Sequence, residues 1–76
     1  MSRLSSMTYR DVIRVLRSTG FIFDRQAKGS HEIWRNPGTG RYVTVPNHPG
    51  TMPVATVRAI IRQAGMAVEE FINASE

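Results

Sequence analysis

Three short segments rich in aromatic and β-branched residues stand between two segments of helical periodicity, and the turns between them leave few ways to fold. Phe21 to Arg25 reads as a strand, with Lys28-Gly29-Ser30 as the turn out of it. His31 to Asn36 is a second strand, and Pro37-Gly38-Thr39-Gly40 turns it into a third, Arg41 to Val45. Val43 and Val45 share one face of that third strand, and Tyr42 and Thr44 share the other. Connections this short can join only antiparallel neighbours, because a parallel pair needs a long crossover. The middle of the chain is therefore expected to be a three-stranded meander.

The flanking segments carry helix signals. Thr8 followed by Asp11 is an N-cap with its capping-box partner. Tyr9, Val12, Ile13 and Leu16 then fall at i, i+3, i+4 and i+7, the apolar stripe of a helix, which Gly20 stops. Arg10, Arg14 and Arg17 occupy another face of it. After a loop from Pro46 to Met52, Pro53 reads as the first residue of a second helix, where its missing N–H costs nothing. Val54, Val57, Ile60, Ile61 and Ala64 form its buried stripe, and Gly65 closes it. A short last helix holds Val68, Phe71 and Ile72. The order is α-β-β-β-α with a terminal helix. Both main helices would lie on one sheet face in an α+β two-layer sandwich, leaving the other face open.

Size and charge restrict what that face can do. With 76 residues, 1–76 is read as one domain, of a size that buries only about 60% of its unfolded surface. Such a core has no room for a deep substrate cavity, so a site should be shallow and suited to a polymer or another protein. The absence of cysteine excludes disulfides, thiolate metal sites and cysteine nucleophiles. The longest apolar runs are a few residues, against roughly 20 for a membrane span, and a cytoplasmic location is expected. Net charge is +4, unevenly spread. Residues 1–62 hold all ten cations against Asp11, Asp24 and Glu32, a balance of +7, and residues 63–76 hold three glutamates. Nine of the ten cations are arginine, whose planar guanidinium binds phosphate through paired donors. Nucleic acid is a plausible partner for such a surface, and a merely solvated surface is the plain alternative.

His31 concentrates the chemistry. It opens a strand just after a glycine turn, and an imidazole can trade protons near neutral pH. On RNA its neutral ring can accept the 2′-hydroxyl proton, or its cation can protonate the 5′-oxygen leaving group. Lys28, Arg25 and Arg35 flank it and can hold a phosphate, and the Gly29 and Ser30 N–H groups can assist. The plain alternative is a surface histidine that only caps a turn. His48, in the loop after the third strand, is read as a loop-shaping or substrate-contacting residue. Trp34 and Tyr42 could both fall on the open face, where their rings could stack on unpaired bases; in so small a domain the stronger alternative is that either ring covers the core edge or a partner protein. Two histidines without a carboxylate at ligand spacing make a poor metal site, so neither a metal nor a cofactor is implied.

Four pieces together resemble a known family: Gly20-Phe21; Lys28-Gly29-Ser30-His31; Val43-Thr44-Val45-Pro46 with His48; and Val57-Arg58-Ala59-Ile60-Ile61-Arg62-Gln63-Ala64-Gly65. From about Tyr9 to Phe71 the chain is similar to HicA-type mRNA interferase toxins. The resemblance implies a double-stranded-RNA-binding-domain-like α-β-β-β-α fold and metal-independent endonucleolytic cleavage of mRNA, with His31 aligned on the catalytic histidine. It also implies a HicB-type antitoxin that binds the toxin and covers His31. Ala27, Glu32 and the helix start at Met52 to Thr56 depart from the family pattern. Two other readings share these residues: a non-catalytic RNA-binding module of the same fold, and a domain whose open face only docks a protein.

Overall fold

The computed structural model describes residues 3–76 and has the expected α+β order. A 3-10 turn (Arg3–Ser6) leads into α1 (Tyr9–Ser18), which is followed by β1 (Ile22–Gln26), β2 (His31–Asn36) and β3 (Arg41–Pro46). Helices α2 (Val54–Ala64) and α3 (Val68–Ala74) complete it. Residues 1 and 2, the start of the expected domain, lie outside the described residues.

Local chemistry sets the boundaries. Thr8 Oγ1 accepts the Asp11 N–H at 3.3 Å, and the Asp11 carboxylate accepts the Thr8 N–H at 3.0 Å, closing the capping box of α1. At the other end Gly20 takes φ +103°, where a Cβ would come within 3.2 Å of the Asn36 amide. Asn36 is itself buried, donates to the Thr19 carbonyl and accepts from the Gly38 N–H. One side chain thus ties the end of α1 to the β2–β3 hairpin. Pro53 is the N-cap of α2, with extended ψ 142°, one position earlier than a first helical residue.

The sheet is antiparallel in the order β1-β2-β3, so β2 is central. Its outer edge at β3 is covered from α2, where Gln63 Oε1 accepts the Thr44 N–H at 3.0 Å. Register decides which face is buried. Trp34 lies opposite Val43, and Glu32 opposite Val45, so these four share the helix side. There Trp34, Val43 and Val45 join Val12, Val15 and Leu16 of α1, Val57, Ile60 and Ile61 of α2, and Phe71 of α3 in one core. Leu4 and Met7, before α1, are buried in it too. A bridge between Thr8 and Thr51, with the Met52 N–H donating to Met7 O at 2.8 Å, holds that segment against the loop after β3. Among the described residues no helix is long and apolar enough to cross a membrane.

Candidate functional site

Alternation along β2 turns His31, Ile33 and Arg35 to the face without helices, while Glu32, Trp34 and Asn36 are buried. Neighbouring strands extend this face. Ile22 lies opposite Arg35 and Arg25 opposite Ile33 across β1; Tyr42, Thr44 and Pro46 lie opposite Arg35, Ile33 and His31 across β3. The open face is therefore a shallow surface with an imidazole at one end of its central strand. His31 is exposed, yet its backbone is paired on both sides: it faces Pro46, and its carbonyl accepts the Ala27 N–H at 2.8 Å. His31 thus stands at the end of an interior strand.

The turn before His31 is firmly built. Its N–H donates to Lys28 O at 3.2 Å, and Gly29 takes φ +63°, a backbone region that favours glycine. Gln26 Nε2 donates to the carbonyls of Gly29 and His31, at 3.1 and 3.0 Å. Lys28 is exposed and, among the described residues, pairs with no carboxylate.

The loop after β3 closes on this turn. The Asn47 N–H donates to Ser30 O at 2.9 Å, and Ser30 Oγ shares a 2.9 Å hydrogen bond with His48 Nε2. Behind them lies Glu32, only 7% exposed. Its Oε1 accepts from Tyr9 OH at 2.7 Å and Trp34 Nε1 at 3.1 Å, and its Oε2 accepts from Asn47 Nδ2 at 3.2 Å. Burial, and then the hydrogen bond and charge of Glu32, push the Tyr9 hydroxyl up to about 12, so it remains a neutral donor. A shallow groove of about 460 Å³ runs outside this network, lined by Tyr9, Arg10, His48 and Pro49 among others.

One expectation needs correction. Trp34 is not on the open face with Tyr42. It is 2% exposed on the helix side, with Phe23 edge-on at 5.8 Å and the Arg17 guanidinium 5.3 Å over its ring. The cause is register: Trp34 pairs with Val43, whose side is buried, and Tyr42 takes the other. Trp34 thus has no free face for a base, whereas Tyr42 is 54% exposed. Arg25 and Arg35, read as able to hold a phosphate, both pair with Asp24, at 2.5 Å and 3.5 Å. A bulge between Phe23 and Arg25 makes room for Asp24 there. Arg35 is also four residues along β2 from His31, about 13 Å away.

Of the residues read from the sequence, the structure gathers Lys28, Gly29, Ser30, His31 and His48 around one turn and loop, with Arg25 and Arg35 further along the sheet. Tyr9, Glu32 and Asn47 were not foreseen as parts of it. Asn47 beside His48 was a signal in plain sight, but a buried carboxylate in an alternating strand shows itself only when the register is known. Among the described residues no group of three or more His, Cys, Asp or Glu side chains is placed to hold a metal ion.

A helix-backed, three-stranded antiparallel sheet whose open face presents a histidine beside a basic turn defines the class: a small α+β domain with a surface site. Residues 9–66 match the family described as HicA toxin of bacterial toxin-antitoxin, and the chain belongs to that family. It is thus the toxin side of a toxin–antitoxin pair, and an antitoxin is its expected protein partner. No curated protein matched the chain.

Proposed function

We propose that this chain is an mRNA-cleaving toxin of a type II system, a metal-independent endoribonuclease acting in the cytoplasm with His31 as its general acid or base. The observation that carries the reading is the exposed His31 at the end of the open sheet face, directly behind the Lys28-Gly29-Ser30 turn. RNA carries its own nucleophile. In its neutral form His31 takes the 2′-hydroxyl proton as the O2′–P bond forms and the P–O5′ bond breaks, and the departing 5′-oxygen gains a proton. Lys28, with no carboxylate partner among the described residues, meets the charge that grows on the phosphoryl oxygens. Ser30 and His48 contact the strand beside the scissile phosphate. Tyr42 stacks on a base further along the sheet, in the role that Trp34 cannot take. Arg25 and Arg35 meet neighbouring phosphates in exchange for Asp24. A HicB-type antitoxin inhibits by covering His31.

Induced expression in a bacterial host tests this. The wild-type chain should arrest growth with loss of full-length mRNA; His31→Ala should not, and the adjacent reading frame should protect. Arrest by His31→Ala equal to the wild type would refute the assignment.

A further inference from the structure

Ser30 and Glu32, the two neighbours of His31, are both tied to the Asn47-His48 pair. Ser30 holds it through the Asn47 N–H and the His48 ring, and Glu32 holds it through the Asn47 amide. The Glu32 carboxylate is buried and meets three donors at once. An ionised carboxylate is acceptor-only, so it can satisfy all three, and a buried hub of this kind transmits the geometry of one element to the next. Two of its donors, Tyr9 and Trp34, sit in α1 and the core, and the third sits in an exposed loop. At Asn47 the loop thus meets a buried carboxylate that α1 and the core also hold.

We propose that Glu32 is a positioning residue that acts through Asn47 to fix His48 against Ser30, so that the His48 imidazole and His31 address the same stretch of RNA. The proposal rests on the ribonuclease reading for its effect on cleavage, but the placement of His48 stands apart from it. Glu32 itself touches no RNA. It lies on the helix side of β2, and its influence passes by one hydrogen bond into the loop.

Swapping donor and acceptor tests the link in the full chain. Asn47→Asp sets a second carboxylate against Glu32 and should free the loop. Pairing it with Glu32→Gln restores a hydrogen bond with its direction reversed, the new amide at position 32 donating to the new carboxylate at position 47. Asn47 is exposed, so the single variant should fold, which a thermal melt by circular dichroism checks. The His48 ring resonances in nitrogen-15 spectra should shift and broaden in Asn47→Asp and return in the double variant. Cleavage of a long RNA should fall about tenfold or more in the single variant, in line with the cost of a small misplacement, and recover in the double. Unchanged ring resonances in a folded Asn47→Asp, or no return in a folded double variant, would overturn the proposal. If the wild type cuts no RNA, the ribonuclease reading fails by itself and the ring resonances still decide the link.

Discussion

His31 and Glu32 are adjacent in the chain and have opposite surroundings, an exposed imidazole and a carboxylate with three donors. Trp34 and Tyr42 divide in the same way, and that division is testable. Trp34→Ala should cost about 3–5 kcal/mol by chemical unfolding, the usual penalty for emptying a buried aromatic site. Tyr42→Ala should cost about 0.5 kcal/mol of stability and weaken RNA binding by about 1–3 kcal/mol in a titration. The reverse ranking would mean the sheet faces are wrongly assigned. Tyr9 offers a second check, because its hydroxyl is pushed up to about 12 by burial and then by Glu32. A neutral phenol is what the folded state favours, so this stabilisation is complete below 10 and is lost as pH rises from there through about 12. A spectroscopic alkaline titration of Tyr42→Phe, which leaves one phenol, should show Tyr9 ionising late in the folded protein; an ordinary titration near 10 would mean the link to Glu32 is absent.

At the scale of elements, the start of α1 rests on a capping box that responds to acid. The Thr8 N–H, against some burial and with help from the Thr8 hydroxyl and Arg14, holds the Asp11 carboxyl below its usual 3.8. A depressed carboxyl stabilises the fold above its unfolded value and ceases to do so as pH falls through the folded one. Asp11→Asn should therefore unfold more easily than the wild type in urea at neutral pH, with the gap closing below 3.8. A gap constant across that range would remove Asp11 from the cap.

The capping box was legible in the sequence, as was β2, because both depend on residues close together in the chain. Ends set by distant partners shifted by one: β1 began and ended one residue later, and β3 extended through Pro46, opposite His31. The burial of Leu4 and Met7 had no periodic signal, since the segment is held by the loop at Thr51 and Met52. At the site, the Lys28-to-His31 turn was legible for its glycine and its histidine. The network around Glu32 was not, because Tyr9, Glu32 and Asn47 lie 15 or more residues apart and meet only when the strands pair in one register.

Across the whole molecule, the phosphate contacts proposed for RNA are Lys28, Arg25 and Arg35 around the open face. Binding of the His31→Ala variant to RNA should weaken steeply as salt rises, about 0.7 in the log–log slope for each phosphate neutralised on a single strand. A salt-independent affinity would point to contacts other than phosphate. Under the proposed function, RNA cleavage depends on one exposed histidine on this open face and on no metal. Its most direct test is purified protein with a long single-stranded RNA in EDTA, beside His31→Ala. Fragments should come from the wild type alone. Intact RNA in both, or fragments in both, would contradict it.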